Sequence, residues 1–296
     1  MKKGDGMEYQ EYLVKSGTYS LDQLAQLENY RGNVHSIFHR TMNLIDENST
    51  LLTLSTDELD AAPQTVQLSN FFPNEWILQG MKVEGQKNGL LIDSKWYVNF
   101  QEMIPQVLEV PTFSFHPTLF AQLAVVSKQM LRKKKEAGTT TFEQQLVSRL
   151  EEAIMNFEQA VLMKNEKEIN KRMNQLIGLG LGLTPSGDDY LTGFFLVTGM
   201  HDYPQLWLNK RLSIAFYQRE TQTNMISQTQ MALALKGQAR ARLLLLLKEV
   251  MQETTSNQLD KRVEEVLKIG SSSGADILRG MISGIKLTIQ LGGKTK

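Results

Sequence analysis

The hydrophobic pattern of this chain changes period once, and that change limits the folds open to it. Over residues 34–110 apolar residues come in short runs broken by turn residues. SIFHRTMNLI leads through DENST to LLTLS, and TVQLS follows a proline. MKVEG, QKNG, LLID, SKW and YVNF read as successive hairpin pieces, with Asn88-Gly89 the strongest turn signal. From Leu119 onward the apolar spacing becomes three and four residues, as in FAQLAVVSKQML, FEQQLVSRLEEAIMNFEQAVL and EINKRMNQLIGL. Strands repeat a face every second residue and helices every third or fourth, so the two stretches need different partners. The expected fold class is therefore α+β: a small β-rich, barrel-like N-terminal domain followed by an all-α C-terminal domain. VPTFSFHPT at 110–118, with two prolines and no helical period, marks the boundary, giving a β-rich domain over 31–115 and a helical one over 116–296. Residues 1–30 read as a helix-prone polar lead-in, and further helices are expected around 190–200, 205–219, 224–250, 258–268 and 276–291.

Composition removes several function classes. Lys plus Arg and Asp plus Glu both count 32 in 296 residues, so the chain lacks the net positive field of a nucleic-acid binder. The basic cluster RKKKE at 132–136 reads as a helix C-terminus running into a loop. Cysteine is absent, which excludes disulfides, a thiolate nucleophile and cysteine metal ligands. The N-terminal lysines are not followed by an apolar stretch of signal-peptide type, and the longest apolar run, LLLLL at 243–247, is too short to span a bilayer. A cytoplasmic protein with neither nucleic acid nor membrane as partner is expected.

One stretch stands apart, GLGLGLTPSGDDYLTG at 178–193. Glycine at every second position is costly in a helix or a strand. Part of the segment has a plain structural account. Ser186 with Asp189 has the spacing of a capping box, the serine serving the third amide and the acid reaching back to the first. Ser273 with Asp276 repeats that spacing in SGADILRG, residues 273–280, which matches SGDDYLTG at Ser, Gly, Asp, Leu and Gly. Gly193, Gly199, Gly280 and Gly284 suit close helix packing. Capping leaves Gly178, Gly180, Gly182 and the additional carboxylate of Asp188 without a role. Their alternation with Ile177, Leu179, Leu181 and Leu183 suggests a buried backbone that meets something closely. Glycine-exposed backbone running into a helix start is a good place for an anion or a small polar ligand. The spacing fits neither a Walker loop nor the dinucleotide fingerprint.

Two such helix starts facing each other would surround a small ligand with amides, hydroxyls and carboxylates. The candidate catalytic residues are Asp188 and Asp189, with Asp188 favoured for the ligand's amide or as base because a cap needs only Asp189. The candidate substrate-binding residues are Gly180, Gly182, Thr184, Ser186, Gly187, Ser272, Ser273 and Asp276. A ligand carrying both an amide and an anionic group suits this mixture; no metal site and no cofactor are expected. His35 and His39 lie four apart in a β-like run without a third ligand, and His116 and His201 read as incidental. Asn224, Ser227 and Gln228 crowd another helix start, either as cap and solvated face or as a wall of the site.

The residues also resemble a family. GLGLGLTPSGDD, SSSGADILRG, SIFHRTMNL and ISQTQMALALKG are similar, in order and approximate position, to the AllH-like proteins of allantoin and purine catabolism. The resemblance implies a subunit of oxamate carbamoyltransferase, which interconverts oxalurate plus phosphate with oxamate plus carbamoyl phosphate and is assembled from several different proteins. It implies oxamate, oxalurate or carbamoyl phosphate as ligand and other carbamoyltransferase subunits as partners. The Ser-Thr-Arg-Thr-like phosphate loop of common carbamoyltransferases is missing and neither glycine loop holds an arginine, leaving Arg279, near the second loop, and Arg40, in the β domain, as candidate cations. Carbamoyl transfer needs no enzyme nucleophile, since orientation and charge stabilisation suffice. The alternative is a non-catalytic scaffold or ligand sensor for the enzymatic subunits. A magnesium-dependent hydrolase built on Asp188 and Asp189 has too few ligands.

Overall fold

The computed structural model describes residues 2–4, 7–70, 76–134, 141–218 and 222–292. They fall into two compact units, Met1–Leu108 and Glu109–Lys296.

Short alternating runs make the first unit a closed barrel. Its strands are β1 Lys2–Gly4, β2 Met7–Gly17, β3 Arg31–Ile37, β4 Thr41–Asp46, β5 Leu51–Thr56, β6 Thr65–Leu68, β7 Lys82–Gln86, β8 Gly89–Ile92, β9 Trp96–Asn99 and β10 Ile104–Pro105. The neighbours run β2-β6-β5-β4-β3-β7-β8-β9, and β9 pairs back with β2 from Gln10↔Trp96 to Leu13↔Asn99. Closure leaves those eight strands without a free edge. Alternate residues, among them Val14, Met42, Leu44, Leu54, Val66, Leu68, Leu90 and Val98, fill the interior. Turn chemistry sets the register. Asn88 (φ 59°) ends the β7–β8 connection, and Asp93 (φ 47°) with Ser94 (φ 57°) makes the β8–β9 turn. The Asp46 carboxylate accepts the amides of Asn48 and Thr50 to close β4 onto β5.

The expected helical lead-in needs correction. Residues 7–17 form the strand that closes the barrel. Helix is confined, among the described residues before β3, to α1, Leu21–Gln26, capped by Ser20 with a capping box to Gln23, and the 3-10 turn Leu27–Asn29 that follows it. Along β2, Tyr12 and Val14 point inward while Leu13 is exposed, so a period of two was present among polar residues. Its partners β6 and β9 lie far along the chain, where no local pattern reveals them.

The second unit is helical: α2 Leu119–Lys134, α3 Thr141–Leu162, α4 Glu166–Leu176, α5 Ser186–Thr198, α6 Leu206–Tyr217, α7 Met225–Ala234, α8 Ala241–Val250, α9 Ser256–Leu267 and α10 Ser273–Gln290. The fold class is thus α+β, a barrel followed by a helical domain. VPTFSFHPT belongs with the helices. Its Thr112 bridges to His201, and Phe113 packs edge-on against Phe115 and Tyr203. The helix expected over 224–250 is two helices, because Gly237 turns left-handed (φ 73°) where a β-carbon would lie 2.4 Å from the Gly199 carbonyl. The basic cluster's first residues end α2, and its remainder lies outside the described residues. No helix among the described residues is long and apolar enough to cross a membrane.

At the centre lies α5, whose residues 187–198 are all buried. It packs against α10 through the repeated sequence. A β-carbon on Gly193 would lie 1.9 Å from the Ile277 carbonyl, and one on Gly280 would lie 1.9 Å from the Tyr190 carbonyl. These are matching positions of the two copies, so the contact is reciprocal. The relation extends to the preceding helices. Gly187 presses on the Leu176 carbonyl at the end of α4, and Gly274 presses on the Val266 carbonyl near the end of α9. Farther along, Gly284 meets Val197, so the two helices run side by side in the same direction. Gly193→Ala should lower stability by about 3 kcal/mol or more, because backbone has to move apart. At Gly284 the neighbour is the Val197 side chain, at 3.0 Å or more rather than 1.9 Å, so the crowding is smaller and a gain in helix propensity of about 1 kcal/mol offsets part of it. Urea unfolding of both alanine variants checks this; equal midpoints would refute the reciprocal-contact account.

Candidate functional site

The parallel run of α5 and α10 brings their N-termini together, and with them two positive dipole ends. Thr184, in the loop before α5, lies 2.9 Å from the Ser273 hydroxyl at the start of α10. Asp276, one turn into α10, is close enough to act electrostatically on Asp189.

Neither helix carries the expected capping box. Pro185 and Ser272 occupy the cap positions, and neither makes a side-chain cap bond. The carboxylates are therefore spent on tertiary contacts. Asp188 is 1% exposed; its Oδ1 accepts the Gly178 amide at 2.7 Å and its Oδ2 accepts the Thr223 hydroxyl. Burial pushes its carboxyl up, opposed by those bonds and one from Ser227. Asp189, also 1% exposed, accepts the Thr184 hydroxyl at 3.0 Å on Oδ2. Burial pushes it up to about 7, with hydrogen bonds from Ser273 and Thr184 opposing and the charges of Asp276 and Asp188 assisting. Two adjacent acids in one sequence thus occupy different environments. Asp188 has donors on both oxygens, whereas Asp189 sits among hydroxyls and like charges and titrates near neutrality.

The glycines divide in the same way. Gly178, Gly180 and Gly182 all have positive φ (74°, 135° and 94°), which explains their presence without a ligand. A β-carbon on Gly180 would lie 2.4 Å from the Ser186 amide nitrogen, while Gly182 faces open space. Gly187 serves packing, and its amide bonds to Leu179 carbonyl at 2.7 Å. The expectation of a buried loop backbone is wrong at the tip. Leu181 and Leu183 are 55% and 51% exposed, because the left-handed glycines lift that stretch off the helices. Ser186 is half-buried at the first turn of α5, and Ser272 is exposed beside Ser273.

Asn224 caps α7 by accepting the Ser227 amide at 3.1 Å, and its Nδ2 also donates to the Leu183 carbonyl of the loop at 2.8 Å. Thr223 escaped the sequence reading, although the polar crowding of that helix start was its signal. Arg279 is held by Glu151 of α3 at 3.8 Å, and Arg40 belongs to the barrel unit. His116 ties Thr118 to the Val250 carbonyl, and His35 bonds Ser36. Among the described residues no group of three or more His, Asp or Glu could hold a metal ion.

Comparison with known families now adds to the geometry. A family model described as oxamate carbamoyltransferase subunit AllH matches residues 176–285, which span the glycine loop, α5 and most of α10. A second, described as the AllH family N-terminal domain, matches residues 13–106, the barrel. The chain belongs to the AllH family. No solved structure matches the chain.

Burial of Asp189 has a measurable consequence for stability. A folded pKa of about 7 against 3.8 unfolded means the native state binds the proton more tightly. The contribution favouring the fold is therefore greatest below the unfolded value and is lost as pH rises toward 7. The cost at high pH has an upper bound on the order of 4 kcal/mol. Asp189→Asn should gain stability relative to wild type between pH 4 and 7, read as a growing difference in denaturation midpoint. A difference that is flat across that window would show that Asp189 is not buried as a titrating acid.

Proposed function

We propose that this protein is a subunit of an oxamate carbamoyltransferase-type enzyme in purine and allantoin catabolism. It binds a small amide-bearing anion where the two Ser-Gly-x-Asp helix starts meet. The observation that carries the reading is the buried Asp189 carboxyl, held by the Thr184 hydroxyl beside Ser273 and pushed up to about 7.

The chemistry asks for such a group. To make oxalurate, the amide nitrogen of oxamate attacks the carbamoyl carbon, the carbon–oxygen bond to phosphate breaks, and the nitrogen gives up a proton. An amide nitrogen is a poor nucleophile unless a base removes that proton as the bond forms. A carboxylate poised near neutrality suits the task in both directions. In phosphorolysis a phosphate oxygen attacks the ureido carbonyl, the carbon–nitrogen bond breaks, and the acid returns its proton to the departing nitrogen. Asp189 is the base in this reading, with Thr184 and Ser273 as the hydroxyls that orient it or carry the proton. Asp188 supports the site without meeting the reacting atoms, since both its oxygens are engaged. Gly180, Gly182, Ser186 and Ser272 border the ligand, and Asp276 keeps Asp189 basic.

The groups bound to these carboxylates are hydroxyls and an amide, and Arg279 is paired with Glu151. Transferring phosphate charge has to be met by cations. In this reading a partner subunit brings them, in keeping with a family described as a subunit. Oxalurate phosphorolysis is measured with this chain alone, with the other subunits alone, and with all combined. Activity is expected only in the mixture, and Asp189→Asn should lower kcat in the mixture by about 100-fold or more. Full activity of the other subunits without this chain would reduce it to a bystander, and full activity of this chain by itself would refute the division of labour.

A further inference from the structure

We infer that Thr223 and Asn224, at the start of α7, are positioning residues of this site, holding the glycine loop so that Thr184 meets Asp189. The inference rests on the reading of Asp189 given above and deepens it.

The argument starts from Asp188. A buried carboxylate with donors on both oxygens is a clamp. Its Oδ1 holds the amide of Gly178, where the loop leaves α4, and its Oδ2 holds Thr223. Three separate chain segments thus converge on one side chain. Thr223 is itself fixed, because Gln228 Nε2 donates to its carbonyl at 2.6 Å. Asn224 grips the other end of the loop. Its Nδ2 donates to the carbonyl of Leu183 at 2.8 Å, while its Oδ1 accepts the Ser227 amide at 3.1 Å and so caps α7. One amide side chain therefore does two separable things, and only the first concerns the site.

Leu183 directly precedes Thr184, whose hydroxyl reaches both Asp189 and Ser273. Positive φ at Gly178, Gly180 and Gly182 gives the loop conformations that other residues rarely share, and its tip is exposed. Such a loop has a large choice of shapes unless both ends are tied. Thr223 ties the entry through Asp188, and Asn224 ties the exit. The start of α7 therefore sets where the Thr184 hydroxyl stands, about one bond length of error being enough to misalign a proton transfer.

The two roles of Asn224 can be separated by substitution. Asn224→Asp keeps an oxygen for the Ser227 amide, since Asp caps as well as Asn, but removes the donor to Leu183. Asn224→Ala removes both. In the complete enzyme assayed by oxalurate phosphorolysis, Asn224→Asp is expected to retain the wild-type melting temperature while kcat falls about tenfold or more at nearly constant KM. Thr223→Val is expected to lose kcat likewise, and Thr223→Ser, which keeps the hydroxyl, to restore it. Hydrogen exchange of the peptide covering 178–185 in the isolated chain provides a readout that needs no turnover; it should speed up in Asn224→Asp and Thr223→Val. Unchanged exchange in Asn224→Asp overturns the inference whatever the activity. Wild-type kcat in Asn224→Asp, in a complex where Asp189→Asn is inactive, overturns it as well while leaving the role of Asp189 intact. Faster exchange in Asn224→Asp and Thr223→Val, together with a wild-type complex that has no phosphorolysis activity, would support the tie and remove the reaction assigned to the site.

Discussion

The site depends on the contact between α5 and α10, where backbone meets backbone without side chains between them. Gly193 and Gly280 each lie where any β-carbon would strike the opposite helix's carbonyl. Helices this close have little freedom to slide, and running in the same direction they place both N-termini on one side. Thr184 and Ser273 can then meet, and one acid, Asp189, is enclosed between two helix starts. Substituting at the crossing would therefore disturb the site from a full turn away.

Around that crossing, burial changes what the acids do. In water, adjacent aspartates would both be charged at neutral pH. Here desolvation raises both, and the difference between them is made by donors and by neighbouring like charges. The Gly178 amide, Thr223 and Ser227 compensate Asp188, whereas Asp189 also bears the repulsion of Asp276 and Asp188. A pair whose environments draw its members apart is the arrangement that lets one hold structure and the other exchange a proton.

Much of the architecture was legible. The change of period near residue 115 was enough for a barrel followed by helices, because strands and helices bury faces with different repeats. Asn88-Gly89 marked its turn, and the echo of SGDDYLTG in SGADILRG pointed to two like helix starts. Strand β2 was not legible, because its few apolar residues, with Leu13 facing outward, are set among polar ones and its partners β6 and β9 are distant in sequence. Nor was the break at Gly237, where a left-handed turn against Gly199 interrupts an otherwise continuous helical pattern.

For the site, residue chemistry and local spacing came from the sequence alone. It supplied glycines that permit a left-handed loop, hydroxyls beside helix starts, and one serine and one aspartate position repeated in register, Ser186 with Ser273 and Asp189 with Asp276. Ser-x-x-Asp spacing also suggested caps, and there local reasoning failed. A cap satisfies local amides, but these carboxylates bond to Gly178, Thr223 and Thr184 instead. Only the tertiary structure decided which acid became the clamp and which the near-neutral acid. That choice depends on desolvation and on donors from α7 and α10, and neither quantity is a property of the segment in which the two aspartates stand.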